Sequence, residues 1–394
     1  MNLFDLGARR RRLVAVCMAA AGAMLIATPA RAGGTGDNVL IIIDPSRSES
    51  LYVGNYYKAA RNVPDRNVLY MQPAAADFAA FVGANLDGLL GTLQQRGINQ
   101  NIDYVIVTPG APFFLSAPNL VNDGCSAVRR FATGSVYTMA RIADEIAAGG
   151  VPVTLRNQYY SASTLPRSFD SNWKWLNGGR RNDPDARRYF IGAMLGYSGE
   201  RGNTVEETIE MIDRSIAADG ARPDGTFYFM KTNDQNRSGP RDPLFGATIR
   251  VINGRGGRAE QIDAVLPAGR HDVLGIMTGA ASPDIDGTDM TILPGAFCDH
   301  LTSFAGRFDT SSQTKMSRWI ANGASGSLGA VEEPCNYPGK FPVPRMHYHY
   351  FLGLSLGEAV FRNLAFVPFQ MLIYGDPLTR PFAYLPSVSV PDAP

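Results

Sequence analysis

Cys298-Asp299-His300 brings a thiol and an imidazole within two residues of each other. A thiolate attacks a carbonyl when a nearby base draws off its proton, so this pair offers cysteine-dependent hydrolysis. Residues two apart on a helix point to different sides, and in that case the base would come from His347 or His349. The alternative is a buried structural cysteine. His347-Tyr348-His349 is an H-x-H pair, which on a strand sets both imidazoles on one face. Such a pair binds zinc if Glu332, Glu333 or Glu358 completes the ligand set. In this Tyr-rich setting two packing histidines are the competing reading.

The segment Asp284-Ile285-Asp286-Gly287-Thr288-Asp289 gathers three carboxylates around a glycine. Oxygen-rich loops of this composition can hold Ca²⁺, although the spacing is not that of an EF-hand. Ser282, just before it, offers a hydroxyl to a ligand polar group. Asp376, in Gly375-Asp376-Pro377-Leu378, suits turn and cap formation and is a further binding candidate. No glycine-rich phosphate loop, G-x-S-x-G elbow or CxxC metal motif is present, so the nucleotide-hydrolase, α/β-hydrolase and zinc-ribbon classes have no support.

Residues of these kinds need a frame, and the hydrophobic pattern supplies one. Asn38-Val-Leu-Ile-Ile-Ile is a continuous apolar run that suits a strand buried on both faces. Further strands are expected at 67–71, 104–108, 189–195, 226–231, 273–278, 291–297, 324–331 and 370–374. Helices are expected at 48–62, 77–96, 126–147, 205–216, 311–322 and 355–364. Thr204-Val205-Glu206-Glu207 reads as a capping box opening the fourth of these. Strands alternating with helices imply right-handed βαβ units, hence an α/β fold with a mostly parallel central sheet flanked by helices. Residues 116–188, polar and rich in Tyr and Trp, read as an excursion over the sheet's carboxyl edge.

The first 32 residues combine a basic block (Arg9–Arg12), a short apolar run and Ala30-Arg31-Ala32, the composition of a cleaved export signal. Export to the periplasm or beyond follows, with a single domain over 33–385 and a Pro-rich tail at 386–394. The chain has 37 Lys+Arg against 36 Asp+Glu, so nothing asks for nucleic acid. No apolar run after the leader is long enough to span a membrane. Of the remaining cysteines, Cys125 and Cys335 can pair and leave Cys298 free, though the spacing does not select among pairings.

Four ordered blocks carry a resemblance. They are Asn38-Val-Leu-Ile-Ile-Ile with Tyr56–Pro64; Pro294-Gly295-Ala296 with Leu301–Gly306; Gly323–Gly326 with Glu333-Pro334-Cys335; and Gly353–Ala359 leading to Gly375–Leu378. Together they resemble a family of exported bacterial proteins of unknown function. More distantly, the C-terminal layout resembles the gingipain-type cysteine peptidases. That implies a caspase-like three-layer sandwich, with a His-Gly after one strand and a nucleophilic Cys after the next. Here the first strand end reads Thr278-Gly279-Ala280-Ala281-Ser282, without the histidine. Two functions are therefore expected: a dyad-less relative that binds a ligand or protein partner, or a hydrolase using Cys298 with a displaced histidine.

Overall fold

The computed structural model describes residues 34–72, 77–122, 124 and 128–385. Residues 1–33, where an export signal is expected, the expected tail at 386–394 and Cys125 lie outside them. Fifteen strands follow in chain order: β1 (Val39–Ile43), β2 (Val68–Tyr70), β3 (Tyr104–Val107), β4 (Phe114–Asn122), β5 (Val128–Ala132), β6 (Val151–Pro152), β7 (Trp175–Leu176), β8 (Gly179–Arg180), β9 (Ile191–Met194), β10 (Thr226–Met230), β11 (Ala259–Ile262), β12 (Arg270–Gly279), β13 (Met290–Leu301), β14 (Gly326–Ala330) and β15 (Met371–Gly375).

Ten of these form the central sheet, in the order β11-β10-β12-β13-β14-β15-β9-β3-β1-β2. The ladders β2-β1-β3-β9 and β11-β10-β12-β13-β14 are parallel throughout. β15 runs antiparallel to β14 and meets β9 at the single pair Tyr374–Met194. The expected mostly parallel α/β sheet is thus present. β1, β3, β9, β10, β14 and β15 are buried at every position, as continuous apolar runs require when both faces are covered.

The alternation along β13 identifies what covers each face. Phe297 packs toward His347 of the helix Arg345–Phe351 and Asp299 bonds Arg241, whereas His300 meets Trp319 of the helix Ser317–Ala321 on the other side. The helix Val205–Ala218 packs near that second face, and its expected capping box joins Thr204 and Glu207 reciprocally.

Several expected elements differ. The stretch 126–147 is not one helix: β5 pairs antiparallel with β4, and helical turns begin only at Thr133. The β-branched and aromatic residues Val128 and Phe131 bury against the core there, and tertiary packing overrides the alanine-rich helical signal. The helix expected at 311–322 is confined to Ser317–Ala321. The H-x-H segment is helical, not extended.

Candidate functional site

The carboxyl ends of the parallel strands share one edge. Phe113, Tyr197 and Phe308, which follow β3, β9 and β13, cluster with ring centres 4.9–5.3 Å apart, Tyr197 stacked on Phe308 and Phe113 edge-on to both. Ligand sites of α/β sheets form at such edges, where several chain reversals converge. On the β10-β12-β13-β14 side, the reversals line two cavities.

The first cavity, about 320 Å³, has Arg237, Thr302, Ser303 and Gln313 on one wall and Glu333 and Asn336 on the other. Arg237 is held at both ends of its guanidinium: Nη1 donates to Asp234 at 2.7 Å and Nε to the Thr302 hydroxyl at 3.1 Å. That hydroxyl donates to Gln313 Oε1 at 2.8 Å, which also accepts from the Phe304 backbone N–H. Asn336 Nδ2 spans the cleft to the Asn236 carbonyl at 2.6 Å. Behind the second wall, buried Lys340 donates to the Pro334 carbonyl, and the Glu332 carboxylate accepts from the backbone N–H groups of Arg129 and Arg130. The second cavity, about 470 Å³, lies along Lys231–Asp234 and Gly279–Ala281.

Two walls carry backbone strain. Gln313 has φ 65° and Cys335 φ 35°, in the left-handed region that residues other than glycine and asparagine rarely occupy. Such conformations persist only where surrounding bonds over-determine them, and they cluster at binding sites. Here the Gln313 side chain takes two hydrogen bonds, and Cys335 is disulfide-bonded. Gly279 is required for a different reason. A Cβ there would lie 2.4 Å from the backbone of Arg237 and Ser238, so only glycine lets the 235–238 turn sit on the end of β12.

Beneath the cleft the polar atoms are buried and paired. Arg241 donates to Asp299 at 2.6 Å and to the Thr278 carbonyl at 2.5 Å, linking β12 to β13 with both side chains almost fully enclosed. Burial raises the Asp299 carboxyl, and Arg241 draws it back down. His300 accepts from Trp319 Nε1 at 3.0 Å through Nδ1 and bonds the Thr314 carbonyl at 3.0 Å through Nε2. Burial lowers its pKa to about 4, so it is neutral at pH 7.

The sequence candidates are only partly brought together. Cys298 stands inside β13, the fourth residue of the buried stretch that begins at Gly295 and three residues short of the strand end, fully buried and free. Burial pushes its thiol well above the usual range, opposite to what a nucleophile needs. Cys298 and His300 do share a strand face, but both His300 nitrogens are engaged elsewhere, so the two form no dyad. His347 and His349 diverge because their segment is helical. His347 sits among Phe227, Phe229 and Phe297 with neither nitrogen hydrogen-bonded, and His349 bonds Asn363 and the Ser163 carbonyl. Burial holds both near a pKa of about 3.

Ser282, Asp284 and Asp286 do line one cavity, of about 550 Å³, but Arg201, Lys315 and Arg318 line it too. Asp286 is chelated by Arg318, and Asp284 caps the Gly287 N–H. Asp289 faces His271 instead, 3.8 Å away. Among the described residues no group of three or more His, Cys, Asp or Glu side chains is placed to hold a metal ion. Asp376 is fully buried, accepting from Tyr57, Arg61 and the Leu378 N–H, which is the turn-and-cap role. Cys335 is disulfide-bonded, and Cys125 lies outside the described residues.

Sequence reasoning missed Arg237, Thr302, Gln313 and Asn336. Position signalled Thr302 alone, one residue past the end of β13; Arg237, Gln313 and Asn336 lie well inside the loops that follow β10, β13 and β14, where no local pattern marks them. Compared with known proteins, the chain matches no family model, no curated protein and no solved structure. Among the described residues no helix is long and apolar enough to cross a membrane.

Proposed function

We propose that this chain is an exported binding protein on a caspase-like α/β frame, and that the cleft at the ends of β10, β12, β13 and β14 receives an extended polypeptide segment. The observation that carries the proposal is the cleft's construction. Two walls are each held by hydrogen bonds, part-buried on the Arg237–Thr302–Gln313 side and buried at Lys340 behind the other, cross-braced at the surface by Asn336, and carry left-handed conformations at Gln313 and Cys335. Structure held at such cost in a surface depression is characteristic of a preorganised site.

The chemistry of the walls selects the ligand. The Thr302 hydroxyl, Gln313 Oε1 and Asn336 Nδ2 are bonded within the walls, while the Ser303 hydroxyl, the Asn236 side-chain amide, Gln313 Nε2 and Asn336 Oδ1 remain to match the donors and acceptors of a peptide backbone. The Arg237 charge is matched by Asp234, so the lining favours no strongly anionic ligand. The absence of a histidine at Thr278–Ser282 and the buried Cys298 support binding over peptide cleavage. The disulfide at Cys335 supports an oxidising compartment and therefore export.

The test is a defined array of extended peptides read by fluorescence polarisation, with Ser303→Trp as the blocking variant. Ser303 lines the cavity, and its hydroxyl makes no hydrogen bond within the described residues, so an indole there fills the cleft with little effect on the frame. Binding that weakens about tenfold or more in the variant is expected, the scale of a lost central contact. Absence of peptide binding, or binding unchanged by Ser303→Trp, sinks the proposal.

A further inference from the structure

We infer that a second binding site lies at the amino ends of β10 and β11, and that it takes a soluble small-molecule carboxylate with an aromatic or acyl body. This site is independent of the cleft above. Its cavity is about 460 Å³, within the range of small-ligand pockets.

The floor is aromatic. Phe227, Phe351 and Phe382 form a triangle with ring centres 5.1–6.4 Å apart, and Leu352 adjoins them. Phe351, Leu352 and Phe382 stay partly exposed, so apolar surface is left for a ligand to cover. Glycine lets the chain lie directly against the floor: a Cβ at Gly257 would lie 2.9 Å from the Phe351 ring.

The rim is cationic. Arg222, Arg255 and Arg258 line the cavity against the single carboxylate Asp224. Asp224 is taken by Arg258 at 2.7 Å, and Arg258 also faces Asp272 at 3.6 Å. The guanidinium groups of Arg222 and Arg255 have no hydrogen-bond or ion-pair partner among the described residues. Arg222 moreover holds φ 51°, and its backbone N–H is tied to the Pro381 carbonyl at 2.9 Å. Its side chain thus projects from a strained, anchored backbone next to the aromatic floor. Two unmatched guanidiniums over an apolar floor complement a ligand with one anionic head and an apolar body, because guanidinium binds carboxylate through paired hydrogen bonds.

The experiment is calorimetric titration of the purified protein with 3-phenylpropionate and with octanoate, using 3-phenylpropionamide as the uncharged control. The acids should bind with a Kd of about 1 mM or tighter. The amide should bind about tenfold more weakly, as expected when a charge-assisted pair is lost. Arg222→Gln/Arg255→Gln should reduce acid binding by a similar factor, and Leu352→Asp should remove it. Arg222 and Arg255 are exposed, so the double arginine change leaves the core intact; Leu352 is partly buried against the core, and circular dichroism checks that Leu352→Asp is folded. Equal binding of acid and amide, unchanged affinity in the double arginine variant, or no binding overturns the inference. Binding to phosphatidylglycerol vesicles without binding of either soluble acid also overturns it, in favour of a lipid surface.

Discussion

Two stretches of the same sheet edge are built from similar residues to opposite effect. At the ends of β1 and β3, Asp44, Ser50 and Thr108 bond, among the described residues, to one another and to nearby chain. The Ser50 hydroxyl meets the Thr108 hydroxyl at 2.5 Å and accepts the Asp44 N–H at 2.9 Å, and the Thr108 hydroxyl donates to the Ile42 carbonyl. All three residues are buried. At the ends of β10, β12 and β13, the same kinds of side chain line a cavity. Polar residues at strand ends therefore do not by themselves make a site. What separates the two stretches is where the buried bonds lie. In the first they consume the polar groups. In the second they sit one layer down, in Arg241–Asp299 and His300–Trp319, and leave Ser303, Glu333 and Asn336 facing solvent.

That lower layer predicts the largest effect. Arg241→Met leaves Asp299 as a buried, unpaired carboxyl whose Oδ1 already lacks a partner. Breaking a buried pair from one side costs about 3–5 kcal/mol, whereas replacing both members by apolar groups is close to neutral. Urea unfolding should show the full loss in Arg241→Met and most of it recovered in Arg241→Met/Asp299→Leu. Equal stability of the single variant and the parent would mean that the ion pair does not hold up the open stretch.

The pH dependence of His300 comes next. Its folded-state pKa is depressed from 6.5 to about 4 by burial. As pH falls below 6.5 the unfolded chain takes up a proton that the folded chain refuses, so stability declines until the folded pKa is reached. Between pH 7 and 4.5 the loss is about 2–3 kcal/mol. His300→Gln keeps an acceptor for Trp319 and a donor for the Thr314 carbonyl but cannot titrate. Its unfolding free energy should fall less than the parent's over that range by this amount. Asp103, whose carboxyl burial raises to about 7, acts in the opposite sense in both proteins and drops out of the difference. Parallel pH profiles would contradict a neutral His300.

How much of this could be read from sequence follows from which interactions are local. The β1 run, the capping box at Thr204–Glu207 and the alternation of strand and helix are local signals, and they yielded the parallel sheet. The H-x-H segment was misread because a short Tyr- and His-rich stretch carries no clear period. Its helical state is decided by packing of Tyr348 and Tyr350 into the core. Cys298-Asp299-His300 was recognised as a cluster, but whether it faced solvent depended on β13 continuing to Leu301. The cleft itself joins residues as far apart as Asn236 and Asn336, and no spacing rule links these.

The smallest effect tests the sealed stretch. Ser50→Ala removes the donor to Thr108 and the acceptor for the Asp44 N–H, leaving two buried groups short of a partner. The cost should be about 1–2 kcal/mol, less than for Arg241→Met because no charge is stranded. Peptide binding at the cleft should be unchanged, since none of these atoms reaches it. If Ser50→Ala weakened peptide binding as much as Ser303→Trp does, the two stretches would be one coupled unit, and the contrast between a sealed and an open half of the edge would fail. A stability loss with binding intact would show that the sealed half serves the frame alone.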